Sequence, residues 1–441
     1  MKSTTSIISP TAAPSALLTD RRDFLRSTSA LALGGMALSF PTVLRGEPNG
    51  SKLKIGLVGC GGRGTGAAAN ALGADSNSEL HAVADVFASQ ADGAINALSN
   101  QFKDRINVPA ERRFAGLDGY QALLASGVDV VVLATPPGFR PGHLAAAVDA
   151  GKHIFCEKPM AVDPVGVRSV MESVRKSKEK GLSVVAGYCW RYARSRQEFF
   201  KAIHDGAIGD ITSYYATYYT GPVKPMPPAN ARQAEWSDVE WQIRNWYNFS
   251  WLGGDGYVEQ CIHSVDKVAW AFRDQPPLSC VATGGRQSPA EGGNIFDHMT
   301  AVYEYPNQVM ATVGQRQIPN CFNENADYIQ GTKGSGQLAR GVSIRGEKNL
   351  RFREDDDAMY DQEHRDLFAA IRAGTPLNDG ERMASSTLLG IMARVAAYTG
   401  QKITWEQILK SEEDLAPEQS LKWDSAFTPN ATPVPGVYKF V

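Results

Sequence analysis

From residue 52 onward, apolar and polar positions follow two alternating periods. Short, nearly continuous apolar runs stand at "KLKIGLV" (52–58), "ELHAVADV" (79–86), "VDVVVLAT" (128–135), "HIFC" (153–156) and "LSVVAGY" (182–188). Between them lie helix-period stretches: "GTGAAANAL" (64–72), "QADGAINALSNQF" (90–102), "RPGHLAAAVDAG" (140–151) and "DPVGVRSVMESVRKSKEKG" (163–181). Strands without a polar face must be covered on both sides, so the alternation predicts a parallel, doubly wound sheet. After residue 187 the pattern changes. A helix over 192–205 is followed by alternating, turn-bounded runs at 210–221, 276–286, 299–307, 308–318 and 327–336, which predict a large, mainly antiparallel sheet. Residues 257–271 read as one helix, further helices fall near 360–373 and 382–398, and "TPNATPVPGVYKFV" (428–441) reads as an extended arm. The expected fold is α/β, with a first domain over 51–187 and a second over 188–441.

The glycines sharpen the first domain. Gly59-x-Gly61-x-x-Gly64, within "GLVGCGGRGTG", directly follows a strand and opens a helix, and Asp85 ends the next strand. That context fits a dinucleotide site. Gly59 permits the tight turn, Gly61 lets the backbone approach a pyrophosphate, and Gly64 lets helix and sheet pack closely. The backbone of Cys60 and Gly62 and the amides of the helix start complete the turn. Asp85 would accept bonds from ribose hydroxyls and repel a 2′-phosphate, which favours NAD over NADP. Arg63 is either a pyrophosphate contact or a solvated side chain. Thr135, Pro136, Glu157 and Lys158 end the third and fourth apolar runs, where parallel sheets form their ligand crevice. His143 reads as a helix-start residue packed on the sheet.

In the second domain, Glu259, His263 and Asp266 fall at i, i+4 and i+7 of the predicted helix, so carboxylate and imidazole can meet. Arg244, Trp246 and Tyr247 precede it in "QIRNWYNFSW". A cation beside aromatic rings suits a sugar, and a packed loop explains the same residues.

Composition and charge exclude more than they assign. The 441 residues are 21% charged and 9% aromatic with a formal net charge of −2, which gives no reason to expect nucleic acid or an anionic membrane as partner. The six cysteines include no C-x-x-C pair and no zinc-type spacing, so they read as mostly buried thiols, and no metal site is expected. No apolar run is long enough to span a bilayer, so stable membrane insertion is not expected. The first 50 residues carry Arg21-Arg22, Phe24 and Leu25 ahead of a short apolar stretch, the order of a twin-arginine export signal followed by a linker. An extracytoplasmic or periplasmic location is expected.

Together, "KIGLVGCGGRG", "VADV", "ATPP", "AGKHIFCEKPMA", "GYCWRYARSRQEFFKAIHDGAIGDI" and "QCIHSVD" resemble the glucose–fructose oxidoreductase, inositol dehydrogenase and rhizopine catabolism family (Gfo/Idh/MocA) over most of the chain. The resemblance implies a Rossmann domain followed by an α/β domain with a large open sheet, a nicotinamide cofactor, and a sugar or cyclitol substrate. It implies acid–base roles for Lys158 of the Glu-Lys-Pro motif and for His263, with Arg191 beside the cofactor and Asp266 among the substrate groups. A homo-oligomer, dimer or tetramer, is expected. The chain departs from the family's pattern at Glu259, where Asp is usual. The expected activity is oxidation of a sugar or cyclitol hydroxyl with tightly bound NAD. The alternatives are a redox-neutral, NAD-dependent glycosidase and a non-catalytic sugar-binding protein.

Overall fold

The computed structural model describes residues 50–288, 292–353, 358–417 and 421–441; the predicted export signal lies outside them. Six parallel strands build the first sheet: β1 (Leu53–Val58), β2 (Ser78–Asp85), β3 (Arg113–Ala115), β4 (Val130–Leu133), β5 (His153–Cys156) and β6 (Val184–Ala186). Their order is β3-β2-β1-β4-β5-β6, which reverses beside β1 and opens a crevice between β1 and β4. Helices α1 (Gly62–Ala74), α2 (Ala88–Phe102), α3 (Gly119–Ala125), α4 (Arg140–Asp149) and α5 (Pro164–Glu179) connect them. Strands β1, β4 and β5 are almost wholly buried, as their unbroken apolar character requires. Helix α5 shows how the local sequence fixes an element. Asp163 caps it by accepting the Gly166 amide at 2.6 Å, Pro164 occupies the first turn, and Lys176 and Lys178 face the negative end. The short β3 and α3 were not legible in the sequence.

The second sheet has nine strands. After α6 (Arg194–His204) come β7 (Ile211–Thr220), β8 (Ser279–Gly285), β9 (His298–Tyr305), β10 (Val309–Gln317), β11 (Glu324–Gly331), β12 (Gly334–Ala339), β13 (Gly341–Arg345), β14 (Leu350–Phe352) and β15 (Ile403–Thr404). All neighbours pair antiparallel except β7 with β10. Between β7 and β8 lie α7 (Asp238–Arg244), α8 (Ser250–Gly253), α9 (Gly256–Glu259) and α10 (Ile262–Ala271). Helices α11 (Met359–Ala373), α12 (Gly380–Thr399) and α13 (Trp405–Lys410) follow β14.

Side chains tie the two sheets' layers together near the crevice. Arg394 of α12, with no exposed surface, donates to the Val162 and Gly254 carbonyls and pairs with Glu413. Gly138 makes another close approach, since a Cβ there would stand 2.1 Å from the Trp251 carbonyl oxygen. Five cysteines are buried, Cys321 is exposed, and all six are free thiols.

The predicted single helix over 257–271 is interrupted. The Gln260 and Cys261 amides both turn back to Gly256 O, and the His263 amide reaches Gln260 O at 3.3 Å rather than Glu259 O. The Glu259 carbonyl instead accepts Lys158 Nζ at 2.7 Å. A tertiary contact has therefore replaced one helical hydrogen bond and split the helix into α9 and α10.

Candidate active site and cofactor groove

The groove begins at the turn between β1 and α1. Gly59 has φ +90, and a Cβ there would lie 2.7 Å from Ala134 C, so only glycine fits without strain. At Gly64 a Cβ would come within 1.8 Å of Gly59 O. At Gly61 and Gly62, by contrast, it would meet nothing within 4 Å. The glycines thus do different things: two let chain segments pack, and two leave bare backbone facing open space at a helix start. That cradle fits a dinucleotide pyrophosphate.

Asp85 stands beside the glycine turn. Its carboxylate accepts the Cys60 amide at 2.7 Å and the Phe87 amide at 2.9 Å. Burial raises its pKa above the ordinary aspartate value, opposed by those backbone donors. The cavity here, about 510 Å³, is lined by Gly59, Gly61, Asp85, Thr135, Pro136 and His143, among others. His143 accounts for itself structurally: Nδ1 lies 3.0 Å from Thr135 Oγ1, the ring packs against Tyr120 and Phe139, and burial lowers its pKa to about 3.

A second cavity, about 330 Å³, shares Ala134, Thr135 and Trp246 with the first and so continues the groove. Lys158 and His263 both line it. Lys158 follows β5, joined to Pro159 by a cis peptide, and His263 stands in the first turn of α10. Lys158 Nζ donates to Glu259 O at 2.7 Å and Glu259 Oε1 at 3.0 Å. An ammonium has three protons, so one remains for a ligand oxygen. His263 Nδ1 is buried without a hydrogen-bond partner among the described residues. Burial, reinforced by the charges of Lys158, Lys267 and Arg63, holds the ring well below the ordinary histidine pKa. It is therefore neutral at neutral pH and able to accept a proton.

Several expected contacts are redistributed. Glu259 pairs with Lys158 and Gln260 rather than with His263. Glu157 and Lys158 face different partners, because Glu157 takes Arg63 Nε at 2.5 Å. Arg63 is partly exposed but not free, since it also approaches Glu363 at 3.8 Å and lies over the Tyr360 ring. Arg191 and Asp266 do not line either cavity; they form a buried ion pair at 2.9 Å that also engages Asp274. The i+7 position carries Asp266 past the cleft and onto Arg191 and Ser386. Tyr247 is buried with its hydroxyl on Gln317 at 2.8 Å, consistent with the packed-loop explanation. Arg244 lines the first cavity rather than the second, while Trp246 lines both.

Sequence reasoning missed Trp190, Tyr218, Gln260, Asn325 and Tyr360 of the second cavity, and Arg140. Arg140 is buried and donates to the Thr135 and Pro159 carbonyls, clamping together the ends of β4 and β5. Its position at the start of a helix after a strand was the available signal. No group of His, Cys, Asp and Glu among the described residues has metal-binding proximity, and no described helix is long and apolar enough to cross a membrane.

Comparison with known proteins agrees with this layout. Residues 53–187 match the family described as "Oxidoreductase family, NAD-binding Rossmann fold", and residues 197–337 match the GFO/IDH/MocA C-terminal domain. Inositol 2-dehydrogenase of Rhizobium meliloti (strain 1021) is 30% identical over 301 residues, covering 66% of this chain and 78% of the relative. The 2,7-anhydro-N-acetylneuraminate hydratase of Escherichia coli (strain K12) is 25% identical over 284 residues, covering 61% and 70%. Among solved structures, a levoglucosan dehydrogenase in complex with NADH and levoglucosan superposes with a TM-score of 0.63 at 17% identity, covering 80% of this chain and 99% of that one. The glycine cradle, the strand order and these matches together make the chain a member of the Gfo/Idh/MocA family of NAD-binding oxidoreductases.

Proposed function

We propose that the protein oxidises a secondary hydroxyl of an uncharged sugar or cyclitol with a retained NAD, Lys158 and His263 handling the hydroxyl proton. The observation that carries this reading is the Lys158 ammonium, fixed by two bonds to Glu259 and facing the same cavity as a neutral His263. When bound, NAD supplies the hydride acceptor. Gly59, Gly61, Gly62 and Asp85 would hold it, with Thr135 and Pro136 along the groove. Lys158 steadies the oxygen as alkoxide character develops, and His263 takes its proton. Glu259 is a positioning residue that orients Lys158.

The cavity's charges favour a neutral substrate. Arg63 is matched by Glu157 and Lys158 by Glu259, while the buried Arg140 turns Nη1 and Nη2 to the Pro159 and Thr135 carbonyls and keeps Nε without a partner among the described residues. Trp190, Tyr218 and Trp246 offer apolar faces and Gln260 and Asn325 polar edges, a combination suited to a polyhydroxylated ring. Mass spectrometry of the natively purified, then denatured protein is expected to release NAD; NADP in its place would reverse the role given to Asp85.

A redox-neutral cycle, in which the same sugar is oxidised, modified and reduced again, is the second reading. It draws on the hydratase name of the Escherichia coli relative. Turnover of sugar without net reduced cofactor would distinguish it.

Other features support an exported location and a homo-oligomeric assembly. Arg21, Arg22, Phe24 and Leu25 support export by the twin-arginine route, which carries folded proteins and would explain a retained cofactor. Replacing both arginines by lysine is expected to leave the protein in the cytoplasm, and unchanged extracytoplasmic protein on fractionation would refute that route. A homo-oligomer through the open face of the nine-stranded sheet is supported by a row of aligned side chains, Tyr328, Tyr215, Thr312, Val302 and Val281. Tyr215 and Val281 are exposed.

A further inference from the structure

The dinucleotide groove has a second wall that the strand–glycine–helix motif does not supply. Residues 221–246, between β7 and α8, run across it and place Lys224, Trp236, Arg244 and Trp246 opposite Gly59 and Asp85. Resting on the NAD reading above, we propose that this segment is a roof, latched by the C-terminal tail, that recognises the cofactor's diphosphate by charge and slows its release.

Charge is the first argument. The only arginine in the glycine turn, Arg63, is already engaged by Glu157 and approached by Glu363. Its charge is thereby offset before any ligand arrives. Lys224 lines the groove and has no carboxylate within ion-pair distance among the described residues; its Nζ lies 5.8 Å from the Trp246 ring centroid. A partly buried ammonium without a counter-ion, facing a groove shaped for a dinucleotide, is explained by an anionic ligand group. The roof therefore contributes the positive charge that Arg63 does not.

Rigidity is the second argument. Arg244 is sandwiched between two rings, its guanidinium carbon 4.2 Å from the Phe87 centroid and 4.4 Å from that of Trp236. Glu240 accepts two of its bonds, at 2.9 and 2.6 Å. Phe87 lies two residues beyond Asp85, and its amide is bound by that carboxylate. The stack thus joins the roof to the adenosine end of the groove, with the Arg244 charge neutralised by Glu240.

The tail fastens the roof. Gln242 Nε2 donates to Phe427 O at 2.6 Å, the Phe427 amide donates to Asp238 at 3.2 Å, and Ser237 donates to Trp423 O. The Trp423 ring packs edge-on against Phe87 at 5.5 Å, and Phe427 packs against Trp251 at 5.3 Å. Beneath these contacts, Val239, Trp241, Ile243, Phe249, Trp251 and Leu252 form their own apolar cluster. Lifting the roof would mean breaking the latch, and this makes cofactor exit a gated event.

The test uses the purified full-length holoprotein and NADH as probe. NADH release is timed after mixing with excess NAD, and NADH affinity is titrated on cofactor-stripped protein. Phe427→Ala, which loosens the latch from outside the groove, is expected to speed release by about tenfold or more, as befits the loss of roughly 1.4 kcal/mol of closing contacts. Lys224→Met lies in a coil outside the apolar cluster and is expected to weaken NADH binding about tenfold and to flatten its salt dependence, with Lys224→Arg restoring both. Release rates and affinities equal to the unmodified protein in both variants would overturn the roof while leaving the NAD reading intact. Failure of the unmodified protein to bind NADH would overturn both.

Discussion

Lys158→Ala is expected to slow single-turnover oxidation by roughly 10²–10⁴, the usual scale of positioned acid–base help, while NAD stays bound. Lys158 contacts Glu259 twice and lines the second cavity, not the part of the groove around the glycine turn and Asp85. Its loss should therefore appear in the chemical step and not in cofactor content. His263→Ala is expected to fall in the same range. If both serve one proton path, the double variant will lose less than the product of the single losses. The pH profile adds a check whose sign follows from the environment of the ring. Burial and neighbouring cations lower the His263 pKa well below the ordinary 6.5, so the base form persists as pH falls through that value. The acid limb assigned to His263 should accordingly lie well below 6.5, and should disappear in His263→Ala.

The second large effect is expected from Gly64→Ala. Its Cβ would stand 1.8 Å from Gly59 O, a distance no side-chain carbon tolerates, and the obstructing atom is backbone. Helix α1 must move off the β1 turn. Overpacking of this kind typically costs about 1–3 kcal/mol, and the displaced amides no longer converge on one anion. The variant should unfold at lower temperature and gain no thermal stability from added NAD. Gly61→Ala is the informative contrast, because its Cβ meets open space in the protein. It should keep the fold's stability and still weaken NAD, since the new methyl occupies the approach to bare backbone. Equal NAD-induced stabilisation in both variants and the unmodified protein would remove the cradle from the cofactor site.

These contrasts show what the sequence could and could not reveal. Gly59, Gly64 and Asp85 were legible because their demands are local: a positive φ, a close helix–strand approach, a strand end. Lys158 and His263 were legible as residues but not as a geometry. Nothing in "GYVEQCIHSVDKVAWA" signals a break, for it holds no proline and keeps a helical apolar period. The break exists because Lys158, about a hundred residues earlier, takes the Glu259 carbonyl. Asp266 was misplaced for a related reason, since its position along α10 turns it toward Arg191. The parallel pairing of β7 with β10 joins segments too distant for any local pattern to announce. Arg244 looked like a substrate group because it stands beside aromatic residues just ahead of α9 and α10. Its neighbours Phe87 and Trp236 put it at the other end of the groove.

The proposed reaction has a neutral polyol lose hydride to bound NAD while Lys158 and His263 manage its proton. Single-turnover absorbance of the NAD-loaded protein, mixed with a panel of uncharged sugars, cyclitols and glycosides, tests it most directly. Reduced nicotinamide is expected to form with at least one uncharged polyol, strongly slowed in Lys158→Ala despite full cofactor occupancy; an undiminished rate in that variant would refute the proposed role of Lys158.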